Sequence, residues 1–393
     1  MRTAIINGIL LTPFRQVPNG GLMIEDGRIT MLFEGKAPGK ADRVIDAEGL
    51  YVSPGFIDMH NHGGGGFEYL DGTPEAFEGA TKFHMRHGTT TVMPTLSACA
   101  DNELFAALTA FKEAKCRMKS GPNLFGIYME GPYFSVEERG AQDPRFIIPP
   151  DPAHYKKILD FSGDIVRWSS SPEVAGALEF ADELVSRGIL CSIAHSNATH
   201  QQVVPAFERG YTHISHLYSG CSMIRRINAF RYMGVVDSAY AIDNMTVEII
   251  ADGCHLPPEL LKLIVKLKPW DKISLITDAM RCAGMPEGTM HYTGTKENGT
   301  NVLIEDGVAK LPDRSSFAGS IATADRLVRN MRNLADVPLV DAVRMMTFNP
   351  ANVMGMKTKG VLAPGKDADI CIFDDEINIA TVLVNGEVTV EKI

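Results

Sequence analysis

The chain has 393 residues, 45% of them hydrophobic and 22% charged. That length holds one large domain and a small partner, and the composition excludes a disordered or fibrous chain. A formal net charge of -10 argues against general binding to nucleic acid or an anionic membrane, so an anionic ligand needs a local cluster of cations.

The N-terminus, MRTAIINGILLTPF, breaks its short apolar run with Asn7 and Gly8, has no signal-type cleavage site, and no later run reaches membrane-spanning length. The seven cysteines are scattered, without a CxxC pair, as in a reduced cytoplasmic protein rather than a disulfide framework or zinc ribbon. Asp26-Gly27, between β-rich runs at 22–25 and 28–33, predicts a hairpin. Near the other end, 369–373, 381–384 and 388–390 are β-rich, with Asn385-Gly386 as a turn. Residues 1–53 and 360–393 are therefore read as one small β-sandwich domain built from both chain ends.

Between them the pattern becomes strand–helix alternation. Eight strands are predicted at 55–59, 89–95, 124–129, 164–169, 189–194, 211–215, 246–251 and 273–277. Helices are predicted at 74–86, 102–119, 173–187 and 257–267, with Pro74 and Pro257 suited to a first turn. After the eighth strand come a hairpin at 301–304 and 307–310, then helices at 323–334 and 340–347. Eight parallel strands suggest an α/β fold, a (β/α)8 TIM barrel over 54–359. An open doubly wound sheet is the alternative, without a GxGxxG or P-loop to support a nucleotide site.

The C-terminal strand ends of such a barrel form its catalytic face. Here they carry His60 and His62, Glu130, His195, His216, His255 and Asp278, together with Asp58 and Asp252. His60-x-His62 places two imidazoles on one side of an extended chain. A lone HxH is a weak signal, and any one strand-end histidine is more often a satisfied polar residue at a rim. Seven such groups at six strand ends predict a divalent-metal site, where an open position can activate water. His84, His87, His154, His200, His213 and His291 fall on helices, mid-strand or in loops and are read as surface or packing residues. Asp278 can cap the turn after its strand, but beside a metal it suits proton transfer.

These segments resemble the amidohydrolase superfamily and, within it, the N-acetylglucosamine-6-phosphate deacetylase family. PGFIDMHNHG (54–63) and PGKDADI (364–370) are superfamily-wide; MEGPY (129–133) and ADGCH (251–255) are more specific to the deacetylases. GTTTVMPT, AHSNAT, ISHLYSG, LITDAM and FAGS follow in the expected order. The resemblance implies that Glu130, His195 and His216 hold a divalent ion, Zn²⁺ first, with Fe²⁺, Mn²⁺ or Co²⁺ possible. It implies His60 and His62 as ligands of a second ion bridged by Glu130, with one or two metals per subunit. It makes Asp278 the general base and then acid, and His255 the group that stabilises the oxyanion. Ala318 and Gly319 would line the substrate pocket.

Two places depart from the family pattern. Gln142 stands where a histidine is usual, and Ser219-Gly220 replaces an Asn-Ala pair after His216, both in substrate-contacting regions of the family. Residues 219–237 hold Arg225, Arg226 and Arg231; Arg231-Tyr232-Met233-Gly234 best matches the family's phosphate-binding Arg-x-x-Gly. In the family that arginine reaches a neighbouring subunit, which implies a homodimer. The expected reaction is N-deacetylation of an amino-sugar phosphate, N-acetyl-D-glucosamine 6-phosphate first. Alternatives are N-acetylgalactosamine 6-phosphate, an unphosphorylated amino sugar, an N-acyl amino acid or a cyclic amide. A non-catalytic metal or sugar-phosphate binding protein is the rival from another class.

Overall fold

The structure, a computed structural model, describes residues 1–392. All eight predicted barrel strands form: β1 (Phe56–Asn61), β2 (Thr89–Ser97), β3 (Ile127–Glu130), β4 (Ile165–Ser170), β5 (Leu190–Ile193), β6 (Tyr211–Ile214), β7 (Thr246–Ile249) and β8 (Ile273–Leu275). Each pairs in parallel with the next. Alternating side chains split between two environments. Phe56, Trp168, Ile193, Val247 and Leu275 join the large cluster packed with the helices. Ile57, Met59, Met93, Tyr128, Ile250 and Ile276 meet in a separate inner cluster.

The seam between β8 and β1 has no ladder among the described residues. It is closed by other bonds. At the mouth, Asp278 N donates to His60 O (2.9 Å) and His62 N to Ala279 O (2.9 Å). The Asp58 carboxylate accepts from Thr277 N (3.2 Å) and Oγ1 (2.6 Å). Lower down, Asn349 Nδ2 donates to the carbonyls of Trp270 and Ile273 (2.7 Å each), and Ile57 N donates to Met346 O (2.8 Å). The short helices Leu339–Met345 and Phe348–Val353 thus help close the gap between the first and last strands.

Helix starts follow local chemistry. Thr73 caps Pro74–Met85 by accepting from Ala76 N, and Asp151 caps Pro152–Phe161, a helix the sequence reading did not single out. Pro257 takes the cap position and Pro258 the first turn, one residue later than predicted.

The two chain ends build one continuous eight-stranded sheet. Tyr51–Pro54 pairs antiparallel with Ile370–Phe373 and so joins the N- and C-terminal parts. Ile5, Leu22, Ile45, Val52, Ile370 and Leu383, drawn from both ends, share one core, so the sheet encloses its own apolar interior as a small sandwich does. Both predicted turns hold: Asp26-Gly27 and Asn385-Gly386 have positive φ at both positions, the type I′ requirement.

The long region after β8 is a three-stranded sheet, Met290–Thr293, Thr300–Glu305 and Val308–Lys310. Its first strand was not predicted, because a four-residue run, MHYT, is too short to carry a clear strand signal. Buried Glu68 accepts from Thr293 Oγ1 (3.1 Å) and Gly294 N (2.5 Å), while Glu103 accepts from Thr295 Oγ1 and Asn298 Nδ2 (2.7 Å each). Arg281 pairs with Asp71 (2.7 Å) and lies 4.0 Å from the Tyr292 ring centre. These bonds dock the inserted sheet onto the segment after β1 and the first turn of the helix after β2, at the barrel mouth.

Candidate active site

The seven strand-end groups converge. The Glu130 carboxylate, at the end of β3, is the hub. Its Oε1 lies 2.8 Å from His216 Nε2, 3.4 Å from His195 Nε2 and 3.4 Å from His60 Nε2; its Oε2 lies 3.3 Å from His62 Nε2. Asp278 Oδ1 closes the other side, 3.1 Å from His62 Nε2 and 3.4 Å from His60 Nε2. His60, His62 and Asp278 form one set with metal-ligand spacing; His60, Glu130 and His216 form another.

The backbone turns these groups inward. His195, His216 and Asp278 adopt φ of 47°, 30° and 48°, the left-handed region that costs a non-glycine residue about 1–2 kcal/mol. Such strain, repeated at three strand ends, marks a functional centre. Each histidine is also fixed from behind, through Nδ1. His62 meets Ser97 Oγ (3.1 Å), His195 meets Glu138 O (2.8 Å), and His216 meets Ser219 O (3.0 Å). His60 meets Glu248 Oε2 (3.2 Å). All four rings therefore aim Nε2 at the carboxylates, as metal-ligating histidines do.

The donor set fits a divalent ion. His60 Nε2 is buried and has no hydrogen-bond partner. An orphaned ring nitrogen among carboxylates and imidazoles suits Zn²⁺ or a similar borderline ion. The electrostatics agree. Burial pushes the His60 and His62 rings down, but Asp278 and Glu130 outweigh it and raise them to about 9 and about 10. Burial raises Glu130, yet the surrounding histidines, His60 first, hold it well below the usual carboxylate range. The centre is thus built for positive charge.

Beside it lies a cavity of about 370 Å³ lined by His62, Glu130, His195, His216, His255 and Asp278, with Gln142, Ser219, Gly220, Ala318 and Gly319 also on its wall. His255 Nδ1 is held 2.8 Å from Asp252 Oδ2, and Asp252 Oδ1 accepts from the backbone of Cys254 and His255 (2.8 Å each). Burial raises the Asp252 carboxyl, but the bond to His255 outweighs it and lowers it below its ordinary value. Gln142 accepts from Ala98 N through Oε1 (3.1 Å) and donates through Nε2 to Glu130 Oε2 (3.2 Å). Gly319, at φ 62°, is crowded: a Cβ there would lie 2.5 Å from Met280 Cγ and 3.0 Å from Asp278 O.

Arg226 and Arg231 are not brought to this wall. They sit exposed on the small hairpin Arg225–Ile227 and Phe230–Tyr232, whose apolar residues include Phe230 at 71% exposure. No lysine or arginine of the chain lines the cavity among the described residues. His84 and His213 are buried packing histidines, as expected.

Several contributors escaped the sequence reading. Asp252 was visible at a strand end but had no role until its bond to His255 appeared. Ser97 lies two residues beyond its predicted strand, at the end of the observed one. Glu138 and Ser219 act through backbone carbonyls, which leave no sequence signal. Glu248 and Arg167 are charged residues in the middle of β7 and β4, and that placement was the available signal.

The comparisons define the class. The amidohydrolase family profile matches residues 51–389, so the chain belongs to that family of metal-dependent hydrolases of amide bonds. An N-acetylglucosamine-6-phosphate deacetylase of Lysinibacillus sphaericus is 29% identical over 94% of this chain and 92% of its own length. An N-acetylgalactosamine-6-phosphate deacetylase of Escherichia coli O157:H7 is 30% identical over 88% of this chain and 89% of its own. The crystal structure of N-acetylglucosamine-6-phosphate deacetylase from Pasteurella multocida superposes with a TM-score of 0.91 at 26% identity, covering 100% of both chains. No helix among the described residues is long and apolar enough to cross a membrane.

Proposed function

We propose that the chain removes the acetyl group from N-acetyl-D-glucosamine 6-phosphate, giving acetate and D-glucosamine 6-phosphate. The observation that carries the reading is the convergence of Glu130, His60, His62, His195, His216 and Asp278 beside one cavity that also holds His255. The full-length likeness to deacetylases of amino-sugar phosphates supplies the substrate class. Residues 54–359 are proposed as the catalytic unit, with 1–53 and 360–393 as the smaller one.

Glu130, His195 and His216 would hold one divalent ion, Zn²⁺ first, with Fe²⁺, Mn²⁺ or Co²⁺ as alternatives. His60 and His62, with Glu130, would hold a second. Such an ion supplies Lewis acidity, making water nucleophilic near neutral pH and polarising a carbonyl. The chain's own groups do the rest. Asp278 Oδ1 accepts the proton from the attacking water. His255, braced by Asp252 through Nδ1, stabilises the oxygen that gains charge. Asp278 then passes its proton to the sugar nitrogen as the C–N bond breaks. Gln142, Ser219, Gly220, Ala318 and Gly319 shape the sugar's surroundings.

A phosphate needs cations, and the cavity wall of one chain has no lysine or arginine among the described residues. The exposed hairpin with Arg226 and Arg231 fits a role in a second subunit's site, hence a homodimer. A second reading, N-acetylgalactosamine 6-phosphate, is favoured by the 30% identity to a deacetylase of that name and by the changed Gln142 and Ser219-Gly220. Acetate release from the two phosphorylated sugars and from free N-acetylglucosamine tests both. Preference for either phosphate supports the class and selects the sugar; equal turnover of the free sugar refutes the phosphate part.

A further inference from the structure

Of the four histidines around Glu130, three are held from behind by neutral oxygens, those of Ser97, Glu138 and Ser219. His60 alone is held by a carboxylate, Glu248 Oε2 at 3.2 Å. Glu248 is fully buried in β7, between Val247 and Ile249 of the outer core, and so faces inward. It is gripped by Arg167, equally buried in β4, whose Nη2 donates to Oε2 at 3.0 Å while Nη1 bonds Oε1. Arg167 donates further to Met59 O (3.3 Å), Ser192 Oγ (3.1 Å) and Ser215 Oγ (2.7 Å), and its guanidinium carbon lies 3.9 Å from the Tyr128 ring centre. His213 Nε2 stands 3.6 Å from Glu248 Oε1.

A buried ion pair of this kind gives little net stability over a well-packed apolar pair. Its geometry has a chemical consequence instead. A carboxylate clamped by a guanidinium has only acceptor sites, so His60 Nδ1 must carry the proton. In the neutral ring that an ion can bind, the lone pair is then on Nε2, the buried nitrogen without a partner that faces Glu130 Oε1 and Asp278 Oδ1 at 3.4 Å each. A carboxylate behind a histidine also fixes the ring and raises its basicity as a ligand.

We propose that Glu248, clamped by Arg167, is the positioning residue that makes His60 a metal ligand and so governs ion loading at the His60 side of the centre. This rests on the metal-centre reading above.

The test is a thermodynamic cycle on chelator-stripped protein titrated with Zn²⁺ and with Co²⁺. Glu248→Gln should weaken the ion-binding step that His60→Gln weakens, by about 10- to 100-fold. In the His60→Gln background, Glu248→Gln should add nothing, because its effect passes through that ring. The double variant Arg167→Met/Glu248→Leu removes both charges, avoids a lone buried ion, and should show the same weakening if Glu248→Gln fails to fold. A loss of less than about tenfold, or a full further loss in the His60→Gln background, overturns the proposal. So does a His60→Gln protein that binds every ion as the wild type does. Wild-type protein that binds no divalent ion would instead overturn the metal-centre reading itself.

Discussion

Asp278→Asn isolates proton transfer from everything else the site does. The side chain keeps its size, and asparagine tolerates the left-handed backbone at φ 48° as aspartate does, so the β8–β1 seam bond from Asp278 N to His60 O is preserved. What is lost is the oxygen that accepts a proton, now an amide 3.1 Å from His62 Nε2. General-base catalysis is worth about 10²- to 10⁴-fold. That corresponds to about 3–5 kcal/mol of transition-state stabilisation. The loss should fall on kcat and kcat/KM equally, with KM little changed, because the interaction belongs to the transition state. Steady-state acetate release gives the kinetics, and metal analysis of the same protein shows whether Glu130, His195 and His216 still hold their ion. Near-wild-type kcat at unchanged metal content would refute the role of Asp278.

The metal centre makes a pH prediction. Without an ion, Asp278 and Glu130 keep protons on His60 and His62, with pKa values of about 9 and about 10 despite burial. An ion binds only neutral imidazole, so uptake at pH 7 should expel about two protons and affinity should keep rising with pH until those values are passed. Calorimetry in buffers of different ionisation enthalpy counts the protons; none released would contradict the picture. Asn349→Ala leaves the carbonyls of Trp270 and Ile273 without their donor at the barrel seam. It should cost about 1–3 kcal/mol in urea unfolding, and an unchanged midpoint would show the seam is held otherwise. Arg231→Ala, or Arg226→Ala if that is the clamp, should lower kcat/KM for the phosphorylated sugar by about 10- to 100-fold, the loss of one charge-assisted hydrogen bond of about 1.5–3 kcal/mol. Turnover of the unphosphorylated sugar should stay as it was; equal losses on both would remove the arginines from phosphate recognition.

Short apolar and β-branched runs alternating with helical stretches made the barrel strands readable, and X-Gly turns the terminal hairpins, because burial and backbone sign leave direct marks on sequence. The seven site groups were readable for a related reason: in a barrel, the residue after each apolar strand must face the mouth. What could not be read lies where contacts join distant segments. Glu248 and Arg167 are 81 residues apart and were not singled out in the sequence, so their shared service to His60 needed coordinates. The backbone oxygens of Glu138 and Ser219, which orient His195 and His216, have no residue type to betray them. The Arg225–Tyr232 hairpin was found as a cation cluster, but its position away from the cavity of its own chain follows only from the fold.

The most direct test of the account is acetate release from N-acetylglucosamine 6-phosphate by the purified protein, stripped of metal and then reloaded with Zn²⁺. The account predicts no release from the stripped protein, release on reloading, and loss of that release in Glu130→Gln. Turnover that survives complete metal removal, or none from either amino-sugar phosphate with the ion bound, would contradict it.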